Sequence, residues 1–171
     1  RPAVHLGGRP RRLDRPAVLQ SDDERARAAG IGAIGHDPAA AHDVAGGEPL
    51  ADFPVEIHGY NWEHMDFSRR RATYVPGGDY TQSRARILES LGIVDMSPNT
   101  QRAPHDRPMR AFGLYTLCLT NEQRYFAENF TDAHQFTYRF DRENLRARIE
   151  DVLAHPKRYV EVGVEVAVQF L

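Results

Sequence analysis

Residues 93–122 read IVDMSPNTQRAPHDRPMRAFGLYTLCLTNE, and the order of signals inside them decides the fold class. Ile93–Met96 is a short apolar run closed by Ser97-Pro98-Asn99, a turn cluster that ends a strand. Residues 105–113 suit a short helix. Tyr115–Leu119 (YTLCL) is almost continuously apolar, the pattern of a strand buried on both faces. Strand, helix, strand at this spacing is a βαβ unit, and such units build parallel sheets.

The flanking sequence repeats the alternation. Upstream, Phe53–His58 (FPVEIH) predicts a strand closing at Gly59, and Ala72–Val75 a second before the turn Pro76-Gly77-Gly78. Asp79 can cap a helix with Gln82 at the third position; Tyr80, Ile87, Leu88 and Leu91 then share one face, and Gly92 stops it. Downstream, Phe136–Phe140 reads as a fifth strand. Asp141 opens a helix with Leu145, Ile149, Val152 and Leu153 inward, which ends before His155-Pro156. The expectation is an α/β, Rossmann-like three-layer domain over residues 51–171, with about five parallel strands. The tail 159–170, YVEVGVEVAVQF, places valine at every second position and by pattern favours a strand. A helix remains open, since Tyr159, Gly163, Val166 and Phe170 also share a helical face behind Pro156.

Composition changes near residue 50. All the Phe, Tyr and Trp side chains lie between Phe53 and Phe170, whereas residues 1–50 are rich in Gly, Pro, Ala and Arg. A stretch without aromatics buries too little apolar area to offset its ordering entropy. Residues 1–50 are therefore expected to be a peripheral or partly disordered extension, with one helix between Ser21 and Gly30. The chain has 171 residues, enough for one domain with a real core. A formal charge of −2 gives no electrostatic footprint for a nucleic-acid partner. No apolar run reaches the roughly 20 residues of a membrane span. The chain reads as cytoplasmic, and a start at Arg1 is that of a processed or truncated piece.

Several residue groups invite chemistry. Glu56, His58 and His64 are close in sequence but lack metal-ligand spacing, so no metal is expected. Cys118 sits mid-strand between leucines as a core thiol. Arg69-Arg70-Arg71 reads as a solvated face in a chain with 21 arginines and one lysine, a bias of GC-rich codon usage. Ser97–Arg110 is the richest stretch. It brings His105, Arg107 and Arg110 to a helix start, where guanidinium groups beside unpaired backbone N–H donors suit a diphosphate. The competing reading is a surface loop whose arginines pair with Asp95 and Asp106.

Three blocks carry a resemblance. VEIHGYNW (55–62) is similar to a strand closing in a Gly-Trp loop. Residues 95–122 resemble a strand–loop–Arg–helix–strand block. Residues 138–163, with the His-Pro break inside DVLAHPKRYVEVG, resemble two closing helices. Together they look like the C-terminal, nucleotide-sugar-binding domain of a GT-B glycosyltransferase, in the spore-maturation-type, glycosyl transferases group 1 set. The resemblance covers 51–171 and turns Pro156–Phe170 into a helix.

It implies a bacterial hexosyltransferase-type activity that takes a nucleotide diphosphate sugar as substrate and no cofactor. A missing N-terminal Rossmann half, or another chain, would be the partner. It also implies a donor site across the ends of the strands at 53–58, 93–96 and 115–119. Gly59 would allow close approach, and Asn99 would lie in the loop. Arg107 would face the diphosphate with His105 beside it, and Thr120, Asn121 and Glu122 would line the sugar. Two positions depart from the family pattern. Arg110 stands where relatives carry a glutamate, and Tyr115 where they carry glycine. A donor-binding half, a degenerate non-catalytic module and an unrelated phosphate-ester or nucleotide-processing domain all remain open at this point.

Overall fold

A computed structural model describes residues 31–34, 47–60, 62–77, 79–97 and 102–171. Six strands form one parallel sheet: β1 Ile31–Ile34, β2 Val55–Gly59, β3 Thr73–Pro76, β4 Gly92–Asp95, β5 Leu117–Asn121 and β6 Thr137–Tyr138. The helices are α1 Gly47–Ala51, α2 Tyr80–Glu89, α3 Asp106–Gly113, α4 Arg124–Asn129, α5 Arg142–Ala154 and α6 Pro156–Phe170. Across the sheet the order is β3-β2-β1-β4-β5-β6, with every neighbouring pair parallel. The chain thus winds outward from β1 in one direction and from β4 in the other. In sheets of this kind ligands bind at the carboxyl ends of the strands.

Local chemistry explains the elements. The Asp79 carboxylate accepts the Gln82 N–H at 2.8 Å and opens α2. Asp141 does the same for α5 through Asn144 N–H at 2.7 Å. Strands β4 and β5 are buried along their whole length, with apolar starts that suit burial on both faces and polar ends at Asp95, Thr120 and Asn121. Phe112 packs edge-on against Phe126 and Phe136, and Phe130 closes the cluster between α3, α4 and β6. Helix α6 lies directly on β5. At Gly163 an added Cβ would sit 2.8 Å from the Leu117 backbone nitrogen, so glycine sets that approach. The His-Pro break joins α5 to α6. There Asp151 accepts from the Tyr159 hydroxyl and from His155 Nδ1, and the Tyr159 hydrogen bond leads in holding its carboxyl below the usual range.

The α/β class, the parallel sheet and the helix at Pro156–Phe170 stand as expected. The alternating valines do not make a strand, because Val160, Val162, Gly163, Val166 and Ala167 are all buried on one side of α6. Three expectations need correction. Ile31–Ile34 pairs with both β2 and β4, so these four residues are interior to the sheet rather than peripheral. Leu50, placed in the extension, is fully buried. The helix expected between Ser21 and Gly30 lies outside the described residues. Further, Tyr80 does not share the inward face of α2; it is 61% exposed while Ile87 is buried.

Candidate functional site

β4 runs through the sheet interior and ends on Asp95, which leaves a fully buried carboxylate at the carboxyl end of the strand. Such a group must be paired. Arg107 Nη1 reaches its Oδ1 at 3.1 Å, with the arginine side chain only 8% exposed. Ser97 Oγ donates to the same oxygen at 3.1 Å, and Thr120 Oγ1 donates to Oδ2 at 3.2 Å. The Tyr138 hydroxyl donates to the Asp95 carbonyl at 2.9 Å. Burial first, and the Asp95 charge second, push the Tyr138 hydroxyl and the Cys118 thiol well above their ordinary ionisation ranges. Cys118 is thus a neutral core thiol. Asn121 fixes the exit from β4, since its Oδ1 accepts the Ser97 N–H at 2.8 Å.

α3 begins beside this network. His105 caps it, with Nδ1 3.5 Å from the Arg107 N–H and 3.3 Å from Arg107 Nε. The same nitrogen lies 2.5 Å from Asp106 Oδ1. One nitrogen either accepts from Arg107 or donates to Asp106, so its protonation decides which contact forms. One turn on, Arg110 pairs with Asp106, and its guanidinium sits 4.6 Å over the Tyr80 ring.

A cleft of about 350 Å³ opens at the carboxyl ends of β2 and β3, between α2 and α3. Gly59 and Tyr60 form one side. Val75, Pro76 and Gly77 continue it, and α2 contributes Tyr80, Ser83 and Arg86. His105, Arg107 and Arg110 come from α3. Gly59 holds φ of 131°, a backbone conformation open to glycine at no steric cost. Its carbonyl accepts from the Tyr74 hydroxyl at 3.0 Å, which fixes the turn out of β2. Below it, Glu56 takes His58 at 2.9 Å and Arg86 at 3.5 Å. Three arginines and two histidines therefore face a cleft with Asp79 and Asp106 as its acidic lining.

Of the residues singled out from sequence, Gly59, His105, Arg107 and Arg110 come together here. Arg107 lies at the floor, its Nη1 and Nε turned to Asp95 and His105, rather than reaching out as a fork. Thr120 and Asn121 belong to β5 itself, not to the loop beyond it, and both are buried behind the cleft. Glu122 is exposed at the surface, and Asn99 lies outside the described residues. The cleft opens over β2 and β3 instead of over β4 and β5. Both ion pairs of the competing surface-loop reading, Arg107–Asp95 and Arg110–Asp106, form. Tyr60, Tyr80 and Arg86 were missed, because nothing in a periodic pattern separates an exposed tyrosine or arginine at a cleft from one on an open face. Among the described residues no cluster of three or more His, Cys, Asp or Glu side chains could hold a metal ion, and no helix is long and apolar enough to cross a membrane.

In overall shape the chain is similar to a DNA-modifying β-glucosyltransferase, solved in the presence and absence of its substrate uridine diphosphoglucose. The TM-score is 0.56 at 9% identity, over 81% of this chain and 46% of that one. At such identity the likeness speaks for the fold alone. The chain spans less than half the length of that enzyme. No family model and no curated protein matches the sequence.

Proposed function

We propose that this chain is the donor-binding part of a glycosyltransferase, holding a nucleotide diphosphate sugar whose sugar is transferred to an acceptor bound elsewhere. The observation that carries this reading is the cationic cleft at the strand ends. Arg110, Arg86 and His105 ring a concave site beside the N-terminal turns of α2 and α3. Guanidinium groups match phosphate oxygens, and the positive ends of helices add to the attraction. The glycosyltransferase-like fold and the sequence resemblance supply the donor class. The catalytic groups and the acceptor site are assigned to a second domain or chain.

In this role each residue has a distinct part. Arg107, neutralised by Asp95, sets the floor and the position of α3. Arg110, whose pair with Asp106 is half-exposed, can exchange that carboxylate for a phosphate at small cost. His105 in its protonated form adds a donor next to Arg110. Calorimetric titration with uridine and guanosine diphosphates and with uridine diphosphoglucose tests the reading. Binding that Arg110→Ala abolishes supports it, and no binding at millimolar ligand ends it.

One observation favours a second reading, a non-catalytic relative that binds a nucleotide or acts as an interaction module. Arg110 occupies the position where the family carries a glutamate, and a guanidinium offers no acceptor to a ribose or sugar hydroxyl. If the free diphosphate and the sugar diphosphate bind equally, and Arg110→Glu brings a preference for the sugar form, the second reading holds.

A further inference from the structure

Tyr60, Tyr80, Val168 and Leu171 are the large hydrophobic side chains exposed among the described residues, and both tyrosines line the cationic cleft. Tyr60 is 57% exposed, yet its ring has a defined seat. It lies across Gly77, where an added Cβ would meet ring atoms at 2.5 Å, and its hydroxyl reaches the Gly77 carbonyl at 3.4 Å. Gly77 has no left-handed backbone that would call for glycine, so the ring above it explains the residue. Tyr80 is backed by the Arg110 guanidinium. Two exposed tyrosines, each with one ring face covered, beside three arginines match a ligand that is flat and aromatic at one end and anionic at the other. We infer that Tyr60, laid on Gly77, and Tyr80 form a nucleobase-stacking subsite next to the phosphate-binding arginines. This rests on the nucleotide reading above, and it assigns the base to the tyrosines at the β2 and β3 turns.

Stacking gives affinity through the π-face that every base has, and it is indifferent to the base edge. Uridine and guanosine diphosphates should therefore bind alike, and both should exceed inorganic pyrophosphate, which has no ring. Titration of the whole chain with uridine diphosphate and with pyrophosphate reads the two ends of the site separately. Tyr60→Ala lowers uridine diphosphate affinity about ten-fold and leaves pyrophosphate unchanged. Tyr60→Phe, which keeps the ring, restores it. Gly77→Ala puts a methyl group 2.5 Å from Tyr60 ring atoms, so the ring must leave its place on Gly77; its loss matches that of Tyr60→Ala. Unchanged uridine diphosphate binding in Tyr60→Ala, with Arg110→Ala still abolishing it, overturns the stacking subsite and leaves the donor reading standing. Equal losses of both probes in Tyr60→Ala also overturn it. A wild-type chain that binds neither probe overturns both.

Discussion

Arg107 and Arg110 stand three residues apart on α3, each paired with an aspartate, and the two pairs occupy opposite physical regimes. Arg107 meets Asp95 with both side chains out of water, among Ser97, Thr120 and Tyr138. Arg110 meets Asp106 at the cleft rim, both about half-exposed. A buried charge that loses its partner has nowhere to go, whereas an exposed one returns to water. The floor of the cleft is therefore structural and its rim is available to a ligand. The contrast also decides which arginine can be substituted to test binding without unfolding the chain.

The largest expected effect attacks the floor. Asp95→Ala removes the carboxylate that meets the buried Arg107 guanidinium and accepts from the Ser97 and Thr120 hydroxyls. Unfolding free energy in urea should fall by about 3–5 kcal/mol. A loss below about 1 kcal/mol would mean that water reaches Arg107, and the distinction between floor and rim would collapse.

The packed side of α3 can be probed through its neighbour α6. Gly163→Ala puts a methyl group 2.8 Å from the Leu117 backbone nitrogen, a distance no real Cβ shows, and 3.3 Å from the Thr116 carbonyl carbon, so α6 must lift from β5. Overpacking of this kind costs about 1–3 kcal/mol, which outweighs the gain in helix propensity from alanine. The midpoint of thermal unfolding should fall accordingly. A rise would show that α6 adjusts freely and that the packed side is looser than the contacts suggest.

Tyr115, just past α3, has φ of 56° and is one of two non-glycine residues with positive φ among those described. Such a conformation costs an L residue about 1–2 kcal/mol, part of which glycine recovers. Tyr115→Gly should therefore stabilise by up to about 1 kcal/mol, read as a higher urea midpoint.

Legibility in the sequence followed how local the deciding physics was. The caps at Asp79 and Asp141 and the doubly buried runs of β4 and β5 depend on neighbours within a few residues, and they could be read directly. Strand β1, with sequence IGAI, has neither length nor aromatic content, and its place comes from pairing on both edges with segments far along the chain. The valines of α6 misled by their period, because burial on β5 and α3 rather than intrinsic preference decides that segment. At the site, His105, Arg107 and Arg110 of the stretch 97–110 line one cleft. Which of its arginines would be consumed by Asp95 depended on β4 ending in the interior, a fact of tertiary position and not of spacing.

The smallest stability effect belongs to the rim, and it should accompany the clearest functional loss. Arg110→Ala removes an exposed ion pair one helical turn long and a guanidinium stacked on an exposed tyrosine. Together these contribute at most about 1 kcal/mol, because solvent screens the pair and the freed Asp106 is rehydrated. Alanine is also the better helix former, which offsets part of that loss. The urea midpoint should stay close to that of the unsubstituted chain while nucleotide affinity falls. A large drop in stability would show that Arg110, like Arg107, is part of the framework. In that case the cation that meets a phosphate would have to be sought across the cleft, at Arg86 on α2, with Arg86→Ala and its Glu56 partner as the next pair to compare.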